Sequence, residues 1–137
     1  METIIVDAGP LVAYLRKDDA DHDWAMARFQ ELQAPLRTCD AALSEAMFLL
    51  QQTRTGIGPL LELLERGVVI PEFNVRAELP TLLRLLRRYK DVPMSLADGC
   101  LVRMAELFAN SAIFTLNSDF RIYRKHGRQT IPLIYPD

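Results

Sequence analysis

Short apolar runs alternate along the chain with longer segments in which apolar residues recur every three or four positions. The first run, Thr3–Val6, is almost continuously apolar, as expected for a strand that is covered on both faces. Further strands are predicted at Leu36–Thr38, Val68–Ile70, Ala112–Leu116 and, at a sheet edge because of Pro132, at Ile131–Tyr135. This alternation is typical of an α/β fold in which a parallel sheet carries helices on both faces.

The segments between the predicted strands have helical periodicity and contain the residues that usually bound helices. Gly56 follows one such segment, and Pro93 follows the long leucine-rich one. The predicted helices are Pro10–Lys17, Asp23–Gln33, Asp40–Arg54, Pro59–Arg66, Val75–Tyr89, Ser95–Ala109 and Phe120–Lys125. The sequence shows neither an internal repeat nor a linker, so residues 1–137 are expected to form a single domain.

Composition narrows the class of protein. Half of the residues are hydrophobic and a quarter are charged, which excludes intrinsic disorder. No run of 18 apolar residues exists, and Asp7 interrupts the apolar start, so neither a membrane span nor a signal peptide is predicted and the cytoplasm is the expected compartment. Cys39 and Cys100 each lie in an apolar segment, which favours buried free thiols over a disulfide.

The formal net charge of −2 argues against a protein that coats nucleic acid through bulk positive charge. The charges are nevertheless unevenly distributed. Residues 1–75 carry 12 acids and 6 bases, whereas residues 76–137 carry 6 acids and 10 bases. A basic surface could therefore coexist with an acidic centre.

Two aspartates follow predicted strands. Asp7 comes directly after Thr3–Val6, and Asp119 lies three residues beyond Ala112–Leu116. The carboxyl ends of parallel strands form the edge of the sheet where ligands usually bind. Taken alone, Asp7 is better explained as the cap of the helix that follows it, and Asp119 as a turn or cap residue.

Two further acids interrupt the apolar faces of predicted helices. Glu45 has apolar neighbours three and four positions away, at Ala41, Ala42, Phe48 and Leu49, which places its carboxylate toward the core. A buried carboxylate requires a partner, and an arginine or a divalent cation would serve. Asp98 also lies on an apolar face, although Ser95 three residues earlier predicts a capping box.

These four acids are expected to meet. If the sheet is parallel, Asp7 and Asp119 share its C-terminal edge, and the helices that carry Asp98 and Glu45 face the same crevice. Four carboxylates at close range raise one another's pKa unless a cation neutralises them. A set of oxygen ligands without His or Cys favours Mg²⁺ or Mn²⁺ over zinc.

The sequence resembles the PIN domain family, in particular small single-domain proteins similar to VapC toxins. The resemblance rests on the order and spacing of IIVDAGPLVAYL, LSEA, LADGCLV and TLNSDFRIYRKHG, and it covers essentially all 137 residues. It implies a three-layer α/β/α sandwich and a Mg²⁺- or Mn²⁺-dependent endoribonuclease, the toxin of a type II toxin–antitoxin pair. The family's acidic residues correspond to Asp7, Glu45, Asp98 and Asp119.

The resemblance also implies a role for each acid. Asp7 and Asp98 are expected to bind the principal ion directly, and Glu45 to bind through water or to position the attacking water. Asp119, together with Asn117, would complete a second metal position. The expected cut leaves a 5′-phosphate and a 3′-hydroxyl.

Two positions depart from the family pattern. Ala8 replaces the hydroxyl residue that commonly follows the first aspartate, and Asn117 replaces the first of two aspartates in the C-terminal motif. An asparagine can coordinate a metal through its carbonyl oxygen but contributes no charge. The alternative hypothesis is therefore a catalytically weak or inactive PIN module that binds RNA or a protein partner.

Candidate RNA-binding residues lie near Asp119. Four bases recur at helical spacing and would form one stripe of a predicted helix: Arg121, Arg124, Lys125 and Arg128. A second basic group contains Arg84, Arg87, Arg88 and Lys90, and a solvated helix face would explain either group. The leucines between Leu79 and Leu86 belong to the core or to an exposed face that binds a second copy or an antitoxin.

Overall fold

A computed structural model describes all 137 residues and contains seven strands and six α-helices. The strands are β1 (Thr3–Val6), β2 (Leu36–Thr38), β3 (Val69–Pro71), β4 (Ser111–Phe114), β5 (Arg124–Lys125), β6 (Gln129–Thr130) and β7 (Leu133–Ile134). The helices are α1 (Ala8–Leu15), α2 (His22–Glu31), α3 (Asp40–Gln51), α4 (Gly58–Glu65), α5 (Leu79–Arg88) and α6 (Leu96–Leu107).

Five strands form a parallel sheet in the order β3-β2-β1-β4-β7, so that β1 lies in the centre. Ile5 of β1 is paired with Arg37 of β2 and with Ile113 of β4. The central strand is apolar because it is covered on both faces. Ile5 and Val6, whose side chains point to opposite faces, are fully buried.

Helices pack on both faces of the sheet, and each face has its own hydrophobic core. Ile5 and Ile113 pack with residues of α5 and α6, including Leu82 and Leu101. The alternate strand residues pack with α1, α3 and α4 in a second core that contains Val6. The three-layer α/β/α sandwich with a parallel sheet is therefore confirmed.

Most predicted elements are present, with ends shifted by a few residues. The strand at Leu36–Thr38 has the predicted bounds, and the segment Ile131–Tyr135 supplies the short edge strand β7. The leucine-rich helix begins at Leu79 rather than at Val75, because the preceding residues form turns. Cys39 and Cys100 are buried free thiols, as predicted. None of the helices combines the length and the apolar character that crossing a membrane requires.

The predicted helix Phe120–Lys125 is wrong. A single 3-10 turn covers Ser118–Arg121, and β5 and β6 then form an antiparallel hairpin. His126 and Gly127 have φ angles of 52° and 83°. These left-handed residues reverse the chain within a short loop and prevent a helix from continuing. The basic residues of this segment consequently do not form a stripe on one helix.

Candidate functional site

A cleft of about 240 Å³ opens at the C-terminal edge of the sheet, where β1 and β4 end. Four of the predicted site residues line it, and these are Asp7, Glu45, Asp98 and Asn117. The remaining lining residues are Ala8, Gly9, Leu49 and Leu116. No lysine or arginine lines the cleft, so its charge comes from three carboxylates.

Asp7 lies at the bottom of this site and is only 6% exposed. Its Oδ1 accepts a hydrogen bond from the Ala8 backbone N–H, and its Oδ2 accepts one from the Thr115 hydroxyl, both at 2.8 Å. The pKa of Asp7 is raised to about 6, chiefly by burial and to a smaller extent by the charges of Asp98 and Glu45, against the opposing effect of the two hydrogen bonds. Asp7 caps α1 and also belongs to the acidic cleft, so both interpretations of this residue hold.

Asp98 is positioned by the first turn of α6. Ser95 and Asp98 form the predicted capping box: the Ser95 hydroxyl accepts a hydrogen bond from the Asp98 N–H, and Asp98 Oδ2 accepts one from the Ser95 N–H. The same Oδ2 accepts a hydrogen bond of 2.8 Å from the Tyr123 hydroxyl. Asp98 is 8% exposed, and its Oδ1 accepts no hydrogen bond from the protein.

Glu45 lies at the rim of the cleft, and the prediction that its side chain points into the core is wrong. The buried face of α3 contains Ala42, Ala46 and Leu50, whereas Glu45 and its neighbour Phe48 are exposed. The helix is rotated relative to the face inferred from the sequence. Partial burial and the charge of Asp98 still raise the pKa of Glu45.

The C-terminal acid, Asp119, lies outside the cleft that the other three acids line. Asn117 lines the cleft, and its Oδ1 accepts a hydrogen bond from the Asp119 N–H, so Asn117 caps the 3-10 turn. Asp119 is half-buried in this turn and does not line the cleft. Its charge nevertheless reaches the site, because Asp119, like Asp98 and Asp7, raises the pKa of Tyr123.

Two residues that hold the carboxylates in place were not singled out from the sequence. Thr115 is fully buried; its hydroxyl donates to Asp7 and accepts from the Asn117 N–H. Tyr123 packs against Tyr89 and Phe120, and its hydroxyl also donates to Asp98. Thr115 could have been identified from the sequence, because it is a polar residue directly after an apolar strand. No sequence pattern connects Tyr123 with Asp98.

Five arginines form ion pairs, and all of them pair with acids outside the cleft. The ion pairs join Arg16 to Asp18, Arg28 to Glu31, Arg37 to Glu72, Arg103 to Glu78 and to Glu106, and Arg121 to Asp137. None of them involves Asp7, Glu45, Asp98 or Asp119. The structure therefore excludes the alternative in which a buried arginine neutralises these acids.

The side-chain atoms that could bind a metal in the cleft are of the type that a hard divalent cation prefers. They are oxygens alone, and both Asp98 Oδ1 and the second lone pair of each Asp7 oxygen are available. The structure has no group of three or more His, Cys, Asp or Glu side chains arranged to hold a metal ion. The fit therefore rests on the buried pair Asp7 and Asp98, with Glu45 at the rim.

Two of the predicted RNA-binding residues have other partners. The Arg124 Nη1 donates to three backbone carbonyls, those of Arg121, Ile122 and Tyr123. Arg121 lies 4.5 Å over the ring of Tyr135 and 3.5 Å from an Asp137 oxygen. The other two predicted residues, Lys125 and Arg128, belong to the hairpin and its loop.

Comparison with known proteins agrees with this geometry. The PIN domain family model matches residues 4–125. The solved structure of VapC20, a sarcin–ricin loop cleaving toxin from Mycobacterium tuberculosis, superposes with a TM-score of 0.72 at 18% sequence identity. The similarity covers 85% of this chain and 92% of that one, and at this identity it concerns the fold alone. No curated protein sequence matches the chain significantly.

Proposed function

Because the chain belongs to the PIN domain family, we propose that it is a metal-dependent endoribonuclease that hydrolyses RNA phosphodiester bonds. One observation carries the proposal: Asp7, Glu45 and Asp98, far apart in sequence, line one cleft without a basic partner. The pKa of Asp7 is raised chiefly by burial of its carboxyl group and, to a smaller extent, by the charges of Asp98 and Glu45. A divalent cation bound in the cleft would favour the ionised carboxylate.

In the proposed mechanism Asp7 and Asp98 would hold a Mg²⁺ or Mn²⁺ ion, which would supply Lewis-acid chemistry for hydrolysis when bound. The chain's own residues prepare the site. Thr115 and Tyr123 fix the two carboxylates through their hydroxyl groups. Glu45 is accessible at the rim and would orient the attacking water and accept its proton.

A second metal position is proposed near Asn117 and Asp119. Asn117 lines the cleft, although its side-chain oxygen already accepts the Asp119 N–H. Asp119 lies two residues later, within the 3-10 turn that Asn117 caps, and does not line the cleft. A second ion would bind more weakly here than the first, since it gains a single charged ligand.

The expected partners follow from the same proposal. We propose RNA as the substrate, and an antitoxin and a second copy of the chain as protein partners. The VapC20 structure is described as that of a toxin which cleaves the sarcin–ricin loop, and it supports RNA as the substrate class here. Exposed apolar side chains of α3 and α5, including Phe48 and Leu83, support association with another protein.

A non-catalytic PIN module is the second candidate. Ala8 is buried beside Asp7 and supplies no hydroxyl to the site, and Asn117 supplies no charge. Such a module would bind RNA or a protein without cleaving either.

Incubation of the purified protein with end-labelled RNA and Mn²⁺ separates the two candidates. A nuclease yields fragments with 5′-phosphates, and Asp98→Asn reduces the rate by about 100-fold or more, because it removes a charged metal ligand. Glu62→Gln, which neutralises an exposed acid on α4, serves as the control and should retain activity. Equal rates for Asp98→Asn and the wild type would refute the nuclease assignment.

A further inference from the structure

A second cavity, of about 400 Å³, lies between α5, α6 and the loop of the β5–β6 hairpin. We propose that this basic cavity binds a backbone phosphate of the RNA strand whose scissile bond occupies the acidic cleft. The proposal rests on the proposed nuclease function. The proposal goes beyond that function, because it assigns a second binding site outside the acidic cleft.

Two arginines of α5 give the basic cavity its free positive charge. Arg84 and Arg88 line it one helical turn apart, and neither takes part in an ion pair. Arg84 donates only to the Thr81 hydroxyl, and Arg88 lies 5.1 Å over the ring of Tyr89. Both guanidinium groups therefore keep donors available for a phosphate.

Ion pairs and a hydrogen bond connect the segments that line the basic cavity. Arg103 of α6 is held by Glu78 at 2.7 Å and by Glu106 at 3.0 Å. The second oxygen of Glu106 accepts the His126 backbone N–H at 2.6 Å. This network fixes the hairpin loop above the two helices, with His126 in a left-handed conformation that non-glycine residues seldom adopt.

Gly127 leaves room for the arginine on the opposite wall. A Cβ built at this position would lie 3.8 Å from Arg88 Nη1. A side chain at position 127 would consequently occupy the space next to this guanidinium. The loop thus leaves Arg88 accessible from the side of the cavity.

The lining chemistry favours an anion. Eight residues line the basic cavity, only one of them is hydrophobic, and three arginines face a single glutamate. Arg103 also pairs with Glu78, just outside the lining, so an excess of one positive charge remains. This excess and the fork geometry of the two unpaired arginines fit a phosphate better than a neutral or apolar ligand. RNA is the favoured source of that phosphate because the two sites share helix α6.

The spacing along α6 is compatible with one bound strand. Asp98 lies in the first turn of α6, whereas Arg103 and Glu106 follow five and eight residues later. At 1.5 Å per residue this separates the two sites by about 8–12 Å along the helix axis. A stacked strand spans that distance in about three nucleotides, at roughly 3.4 Å each.

The test measures RNA binding without cleavage. A fluorescent 12-nucleotide single-stranded RNA is titrated in EDTA with the wild type, with R84E/R88E and with R54E/R66E. Arg54 and Arg66 are also exposed and free of ion pairs, and they lie beyond α3 and at the end of α4, on the opposite face of the sheet, so R54E/R66E changes the charge equally. R84K/R88K tests whether charge alone restores binding.

We expect R84E/R88E to weaken binding about tenfold or more and to reduce the slope of log K against log salt by about 1. R54E/R66E should change the affinity less than twofold, and R84K/R88K should bind more tightly than R84E/R88E but more weakly than the wild type, because lysine keeps the charge and lacks the guanidinium fork. Equal losses for the two charge reversals, no loss for R84E/R88E, or no RNA binding by the wild type would overturn the inference. Displacement of the RNA by micromolar ADP would also overturn it, because the phosphate would then come from a free nucleotide.

The outcome is independent of the nuclease test. If the protein cleaves no RNA but R84E/R88E alone loses affinity, the nuclease proposal fails and the phosphate site stands. If Mn²⁺-dependent cleavage is abolished by Asp98→Asn while R84E/R88E binds RNA normally, the nuclease stands and the phosphate site fails. Circular dichroism checks that each variant is folded.

Discussion

At the scale of one residue, the ionised carboxylate of Asp7 in the candidate site lowers the stability of the fold. Its pKa of about 6 exceeds the ordinary 3.8, so the folded state prefers the protonated carboxyl. At neutral pH the ionised form costs about 3 kcal/mol, at 1.36 kcal/mol per pKa unit. Between pH 6 and pH 4 the folded protein binds more protons than the unfolded chain, so this residue's contribution to stability improves as the pH falls.

Asp7→Asn should therefore stabilise the protein in EDTA at pH 7.5. We expect a gain of about 1–2 kcal/mol, less than the full electrostatic cost because an amide cannot replace both accepted hydrogen bonds. Urea denaturation of the variant and the wild type measures it. The difference should disappear below pH 4, where Asp7 is protonated, and a variant less stable than the wild type at pH 7.5 would contradict the prediction.

Tyr123 acts on the site through another residue. Its hydroxyl is buried and donates to Asp98, and burial, followed by this hydrogen bond, raises the pKa of the phenol. It is a positioning residue in the proposed mechanism, because it touches a metal ligand and not the substrate.

Tyr123→Phe should weaken Mn²⁺ binding about tenfold, since the carboxylate of Asp98 loses the donor that orients it. Calorimetric titration of Mn²⁺ measures the affinity, and thermal unfolding checks the fold. Tyr14→Phe is a matched control, because the Tyr14 ring stacks on Phe29 and makes no contact with the cleft. An unchanged Mn²⁺ affinity in Tyr123→Phe would remove Tyr123 from the site.

At the scale of elements, the first turn of α6 serves the helix and the cleft together. The capping box satisfies backbone N–H groups that have no partner within the helix, and it also fixes Asp98. Asp98 is consequently buried at the start of a helix rather than in its middle.

Ser95→Ala should lower the free energy of unfolding by about 1 kcal/mol, the usual value of a lost N-cap. Chemical denaturation at pH 7.5 measures the change. Ser44→Ala, in the exposed middle of α3, should cause no loss and serves as the control. If both variants retain the stability of the wild type, the box contributes nothing to α6.

The element that the sequence described least well is the segment after the 3-10 turn. Apolar and basic residues recur there at helical spacing, yet the backbone forms a hairpin. Pairing of Arg124 with Thr130 and the bond between the His126 N–H and Glu106 fix this conformation. These two contacts join residues six and twenty positions apart, and the local periodicity of the sequence does not predict such contacts.

At the scale of the whole molecule, apolar surface remains on two helices. On α5, Leu82 and Leu85 are core residues whereas Leu79 and Leu83 are exposed. The leucine-rich helix thus contributes to the core with one face and leaves apolar side chains exposed on the other. On α3, Phe48 is 58% exposed and Leu49 is 40% exposed. We expect a second copy of the chain to cover the α3 face, since an aromatic side chain contributes the larger apolar area.

Light scattering tests this expectation. The wild type should have twice the mass of the 15.6 kDa chain, and Phe48→Glu should shift it to a monomer because a buried charge destabilises an apolar interface. Leu83→Glu on α5 should leave the mass unchanged. A dimer disrupted only by Leu83→Glu would assign the interface to α5, and a monomeric wild type would refute the homodimer.

The sequence by itself determined the layered fold and the edge of the sheet at which the acids meet. Continuous apolar strands alternating with amphipathic helices have few other stable arrangements, and Asp7 directly follows such a strand. The sequence also predicted the capping box of Asp98, because this motif depends only on two residues three positions apart.

Tertiary structure alone decided the rest. The rotation of α3 that exposes Glu45, the hydroxyl groups of Thr115 and Tyr123 that orient the carboxylates, and the basic cavity between α5, α6 and the hairpin each depend on packing between distant segments. Local patterns report which residues repeat on a face, whereas the direction of that face is set by the elements packed against it. The absence of an arginine beside the acids is also a property of the folded chain, and it is the observation that favours a metal ion.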